Sequence, residues 1–356
     1  MVLKSALLAR VDERVGNSRQ FQVPSTTPSA MADTQPRLEL VDKSARDPNF
    51  YAEDGNIILA AKDSENRTIY FRLHRSILVK HSPVFADMFS MPPPPTAEKY
   101  DGVPLVEMPD DADGLRTLIA LLYDPQCISV ILKSEDFAAR MFDPAVLARK
   151  YQVDWIREMV ASHLEQQWPR TLIDWDTMAD AELGYFFTGI PHANLKVHRL
   201  PEPVTAIRLA RECDVPAVIP IAFLHLLRQP LEIDPDDAGD MHTSVWETPE
   251  RALLAPADLH RLALARQRMG KWFKLHTEAW ELEPCFSDMP CETRWLRILA
   301  TVAIGVARDG NVLGASQRVF QGGMKDICTP CSLWCRDEIG EMREEFFDKL
   351  PTFFQL

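Results

Sequence analysis

Hydrophobic and polar positions change their rhythm twice along this chain. Residues 1 to 47 show no sustained period: "VPSTTPSAMADTQPR" scatters Ser, Thr, Pro and Gln among isolated apolar residues. Such a stretch cannot bury enough apolar area to offset its ordering entropy, which predicts a disordered tail. From about residue 49 short apolar runs appear between polar breaks. "NIILAAK" (56–62) and "IYFRL" (69–73) have strand character, and the polar "DSENR" between them supplies a hairpin turn.

The next stretch, "FRLHRSILVKHSPVFADMF" (71–89), turns on Pro83. Inside one long helix this proline would cost about 3 kcal/mol. At the first position of a new helix it costs almost nothing, and Ser82 is a good N-cap. The pattern therefore predicts a short helix over "HRSILVKH" and a second over "PVFADMF", burying Ile77, Leu78, Val84, Phe85, Met88 and Phe89. "MPPPPTAEKYDG" (91–102) must be a loop, because consecutive prolines allow only extended backbone. "VPLVEMP" (103–109) is a third strand, and "ADGLRTLIALLYD" (112–124) a strongly apolar helix behind an aspartate-rich turn.

Beyond residue 136 the rhythm is helical. Helices are expected over 143–168 with a break at Val153, over 201–227 with a second start near Pro216, over 250–283, over 292–308, and from Pro330 to about Lys349. The fold class is α+β: a small sheet flanked by helices, followed by a mostly α-helical C-terminal region. The domain division is a tail over 1–47, a sheet-containing domain over 48–168 and a helical region over 169–356.

Charge and composition remove several function classes. The net charge of −13 argues against phosphate-dominated nucleic-acid binding, which needs a basic footprint. No apolar run reaches the roughly 18 to 20 residues of a membrane span. The opening "MVLKSALLARVDERVG" is broken by Lys4, with Arg10, Asp12 and Glu13 close behind, and is no convincing signal peptide. Seven scattered cysteines do not suggest a secreted disulfide framework. These features predict a soluble protein of the cytoplasm, the nucleus or both.

The run "DGNIILAAKDSENRTIYFRLHRSILVKHSPVFADMFSMPPPP…YDGVPLVEMPDDADGLRTLIALLYDP" resembles the BTB/POZ domain, in the form found in large families of mushroom-forming fungi. The resemblance lies in the ordered series: strand hairpin, His-Arg helix start, "HSPVF.DMF", hydrophobic strand and leucine-rich helix ending in "LYDP". It covers residues 49 to about 165, and more weakly "PEPVTAIRLARECDVP" and "FFDKLPTFFQL". It implies a protein-interaction module, commonly a homodimer, that serves as an adaptor for cullin-type ubiquitin ligases or in transcription complexes. Asn56, His74, Arg75 and Ile77 are the interface residues it implies. Dimeric relatives pair an aspartate of the first strand with the helix-start arginine. Here the aligned position is Asn56, and Asp54 is the expected anionic partner of Arg75 if that arginine is buried.

Catalytic, cofactor and metal constellations are not expected. His74 and His81 lack a Cys, Asp or His at ligand spacing and are read as supports for short helices. An EF-hand loop starting at Asp234 would place Ala238 and Val245 where ligands are required, so "DPDDAGD" is read as a solvated loop. Asp110 and Asp111 are attributed to the helix dipole and solvent. "CTPCSLWC" gives the alternative function, a thiol redox enzyme using Cys328 and Cys331 near a helix start. That chemistry needs a preceding buried strand, which "SQRVFQGGMKDI" does not supply. Cys285, Cys291, Cys328, Cys331 and Cys335 are close enough in sequence to converge, and four thiolates would suffice for structural zinc. The loose Cys285–Cys291 spacing and the apolar Trp295 and Trp334 nearby favour buried free thiols instead.

Overall fold

The computed structural model describes residues 45–356 apart from 93–97, 135, 189–199, 201, 230–250, 279, 281–284, 286–290, 311, 323 and 325–326. Residues 1–44 and the acidic loop near Asp234 thus lie outside the described residues.

The apolar run at 57–61 becomes the centre of a sheet. Strand β2 (Ile57–Lys62) pairs antiparallel with β3 (Thr68–Leu73), Ile57 opposite Leu73 and Lys62 opposite Thr68. The turn between them is an Asx turn: Asp63 Oδ1 accepts the N–H groups of Glu65 (3.0 Å) and Arg67 (2.9 Å), and Asn66 takes φ 61°. On its other side β2 runs parallel to β5 (Val103–Asp111). With neighbours on both edges and helices above, Ile57 to Ala61 are all buried, so the run is continuous rather than alternating. Two strands escape the sequence pattern. β1 (Arg46–Tyr51) runs parallel to β3, and β4 (Lys99–Tyr100) pairs with β5, giving the order β1-β3-β2-β5-β4.

β1 begins inside the stretch that composition assigned to the tail, and Asp47 is the reason it can. Its side chain is 1% exposed, accepts the N–H groups of Asn49 and Phe50, and takes Arg116 Nε at 2.7 Å. A buried, fully engaged carboxylate fastens this edge strand to α3 (Ala112–Tyr123).

Pro83 opens a new helix, as its place after Ser82 predicts. α1 (Arg75–His81) ends at Ser82, and α2 (Pro83–Ser90) starts there with Pro83 at its first position. Ser82 Oγ accepts from Phe85 N at 3.1 Å and donates to the Tyr151 carbonyl at 2.6 Å. One hydroxyl thus caps α2 and joins it to α5 (Phe137–Lys150), where Phe85 stacks on Tyr151 at 4.6 Å.

α4 (Cys127–Ile131) and the first half of α5 differ from the expected start at 143. Pro144 lies inside α5 and has no N–H to give the Arg140 carbonyl. Buried Phe137, Ala138 and Met141 carry the helix through it, so tertiary burial outweighs the local proline penalty. α6 (Asp154–Gln167) follows the break at Val153.

The C-terminal region contains α7 (Leu172–Thr188), α8 (Pro203–Glu212), α9 (Val218–Arg228), a 3-10 turn (Arg251–Leu253), α10 (Pro256–Glu278), α11 (Cys291–Asp309), α12 (Val312–Gly322), α13 (Thr329–Asp348) and α14 (Leu350–Phe354). α7, α12 and α14 were not among the expected helices. α9 is buried over nearly its whole length, as its all-round apolar sequence requires, and Phe223 stacks on Phe354 of α14 at 5.1 Å. Buried apolar residues form one cluster from Ile57 to Phe354, so the helices after residue 168 share the core of the sheet-containing part. No helix among the described residues is long and apolar enough to cross a membrane.

Candidate functional site

The residues expected at an interface gather where α1 leaves the sheet. Asn56 sits just before β2, its N–H on the Leu73 carbonyl at 2.9 Å, which aims its side chain at the next element. Its Oδ1 accepts the Arg75 N–H at 2.8 Å, so it caps α1 from a neighbouring strand. His74 is held by Tyr123 at the end of α3: its N–H donates to the phenol oxygen at 2.8 Å, and its Nδ1 lies 3.0 Å from the same oxygen. His74 Nε2 is 3.1 Å from Asp54, and this hydrogen bond holds the Asp54 carboxyl below its usual range. Burial, in turn, raises the Tyr123 hydroxyl.

Arg75 does not use Asp54. Its backbone marks the start of α1, while its exposed guanidinium donates to the Phe89 carbonyl at 2.6 Å and lies 4.9 Å from the Phe89 ring centroid. One residue therefore joins the start of α1 to the last turn of α2. The condition for an Asp54 partner, a buried arginine, is not met. Ile77 packs half-buried against the core, leaving Ser76, Val79 and Lys80 as the open side of α1. His81 is not a ligand in any cluster of the described residues; it lies against Trp155, and burial lowers its pKa.

Of the paired carboxylates, Asp111 does cap a helix, accepting from Asp113 N at 2.9 Å and Gly114 N at 3.2 Å. Asp110 has a different role. It takes Lys150 Nζ at 2.6 Å and the Tyr151 hydroxyl, bonding β5 to the end of α5 rather than facing solvent. Sequence reasoning missed this contact and Tyr123. The signal available for both was a tyrosine at a helix end, where an apolar ring and a polar tip need different surroundings.

A second assembly lies in the C-terminal region. The Sγ atoms of Cys285, Cys291, Cys328 and Cys331 all lie within 4.8 Å of one another. Cys285 is 3.8 Å from Cys291 and 3.4 Å from Cys328. Cys291 is the first residue of α11; Cys328 is the N-cap of α13, and Cys331 lies in its first turn. The Cys328 N–H donates to the Cys291 sulfur at 3.3 Å. The Cys331 N–H and the surrounding sulfurs hold the Cys328 thiol at about 7, while burial and those sulfurs raise Cys331. Cys335, the fifth thiol of the sequence pattern, is buried one turn further on and is not in the set. Three of the four clustered cysteines are only half-buried, unlike the wholly buried free thiols expected from the sequence.

A cleft of about 430 Å³ lies between α7, α12 and α13. Its polar groups serve one another: Arg343 pairs with Asp176, and Gln317 Nε2 donates to Asp180 at 2.6 Å. Burial raises the Asp176 carboxyl. No protein-family model, curated protein or solved structure matches this chain.

Proposed function

We propose that this chain is a non-enzymatic protein-interaction scaffold of the BTB/POZ kind, acting as an adaptor through its sheet-containing part. One observation carries the reading: the elements follow one another as strand hairpin, α1, Ser82 corner, α2, β5 and leucine-rich α3. That is the order by which the sequence resembles the family. The open side of α1, around Arg75 and Val79, is the surface offered to a partner, first of all a second copy of the chain. Partners of the ubiquitin-ligase or transcription-complex type fit the same reading, as does a cytoplasmic or nuclear setting. The acidic balance offers no footprint for nucleic acid.

The thiol redox alternative has a depressed Cys328 in its favour. It lacks the strand that positions such a motif, since the strands of the described residues end at Asp111.

Analytical sedimentation of the full chain tests the proposal. The expected result is a dimer at micromolar concentration that Arg75→Glu weakens at least tenfold, with an unchanged circular-dichroism spectrum. A wild-type chain that stays monomeric throughout that range overturns the dimeric reading.

A further inference from the structure

The geometry points to a structural zinc site formed by Cys285, Cys291, Cys328 and Cys331. A zinc ion bound by thiolates at about 2.3 Å in a tetrahedron places its sulfurs about 3.8 Å apart. The observed separations are 3.8 Å for Cys285–Cys291 and 3.4 Å for Cys285–Cys328, and every pair is within 4.8 Å. A disulfide would bring one pair to about 2.05 Å, and none of the four cysteines is disulfide-bonded. An iron–sulfur cluster would hold its cysteines further apart, because several metal and sulfide atoms must fit between them. The set therefore has the size of a single ion.

Charge and hydrogen bonding agree with the distances. Four thiolates around a divalent cation leave a net charge of about −2. Two helix N-termini meet that charge: α11 begins with Cys291, and α13 begins beside Cys328. The Cys328 N–H on the Cys291 sulfur is the kind of backbone donor that orients a metal-bound thiolate from outside the coordination sphere. Trp295 of α11 and Trp334 of α13 pack 5.6 Å apart, so the two helices that carry Cys291 and Cys331 also meet through an aromatic contact. Four protein ligands close the coordination shell, so the ion holds structure and has no position for a substrate. It joins the segment before α11 to the start of α13, across the 36 residues between Cys291 and Cys328. On binding, each thiol releases its proton to solvent or buffer as its sulfur takes up the metal.

Elemental analysis of the untagged full chain, expressed with zinc and passed through a chelating resin, is the first test. About one zinc per chain is expected, retained by Cys335→Ser and lost from the Cys328→Ser, Cys331→Ser double variant. Because that variant could fail to fold, the wild-type chain is also stripped with a mercurial and refilled with cobalt(II). Intense visible bands of tetrahedral cobalt–thiolate at one equivalent are expected. Substoichiometric zinc together with no cobalt colour overturns the inference, as does one iron per chain or zinc retained in a folded double variant.

Discussion

The part of the molecule around the sheet and the helices after residue 168 are held together differently. Around the sheet, registry comes from the backbone: β2 is paired along both edges, and α1, α2 and α3 start on defined caps. Side-chain ion pairs occur at its margins, where Asp47 fastens β1 and Asp110 fastens the end of α5. The described residues of the helical part contain no ladder to set registry. Of the nine buried polar or charged residues among the described ones, seven lie there and only Asp47 and Ser82 lie around the sheet; Asp258, Gln317 and Arg343 each reach a partner on another helix. Helices packed through apolar faces can slide by a turn at small cost, whereas a buried charge must meet its partner. Such point anchors take over the task that strand pairing performs elsewhere.

A charge placed in the shared core tests whether the two parts are separable at all. Phe85 is 1% exposed and Leu118 is wholly buried, so Phe85→Asp or Leu118→Asp puts an unpaired charge into the apolar cluster. Each should cost more than about 4 kcal/mol and abolish folding. Because the cluster continues into α9 and α14, the whole cooperative transition should vanish in a calorimetric melt. A surviving transition with helical circular dichroism would show that the residues after 168 fold alone.

A smaller loss is expected from an anchor. Asp258, in the first turn of α10, is buried and accepts Arg211 at 2.5 Å and 2.7 Å and Arg261 at 2.8 Å. Burial alone would raise its pKa, but the two guanidinium groups prevail and hold it below the usual range. Removing one partner of a buried pair costs about 3–5 kcal/mol. Both arginines keep about a third of their surface in water, so Asp258→Ala should lose nearer 2–3 kcal/mol in urea titration. A loss below about 0.5 kcal/mol would reduce this contact to an ordinary surface pair.

What the sequence disclosed follows the same division. The β2–β3 hairpin, the Ser82 corner and α3 were legible because each rests on a local rule: period, turn chemistry, or a proline beside a cap. β1 was hidden because its stability comes from Arg116, far along the chain. The first half of α5 was hidden because Pro144 argues locally for a start that distant packing overrides. At the candidate interface, Asn56, His74 and Arg75 were found as a group, but their partners Tyr123 and Phe89 were not. That the cysteines are close enough to converge was legible in their spacing; which four meet depends on how α11 and α13 begin, and spacing alone does not determine that.

A modest dependence on pH again belongs to the helical part. His225 lies on α9, 2% exposed, with the Gln229 amide nitrogen 3.2 Å from its Nε2 and Trp168 edge-on to its ring. Burial, aided by Arg228, lowers its pKa to about 3, so the folded chain keeps it neutral. An unfolded chain protonates the same ring near about 6.5. Below that pH the unfolded state gains a proton that the folded state refuses, and stability falls as pH drops towards about 3. The full contribution is present above about 6.5, and the slope approaches about 1.4 kcal/mol per pH unit. His81 and His163 are also lowered by burial and act in the same direction, so the wild-type slope alone cannot isolate His225. The comparison with His225→Leu does, because the other histidines remain in both proteins. Between pH 6 and 5, above the range where unfolded carboxylates titrate, the wild type should lose about 1 kcal/mol more than the variant. Urea titrations at those two pH values measure the difference. Equal losses would mean that α9 admits the proton and that His225 is no part of what locks the helical packing.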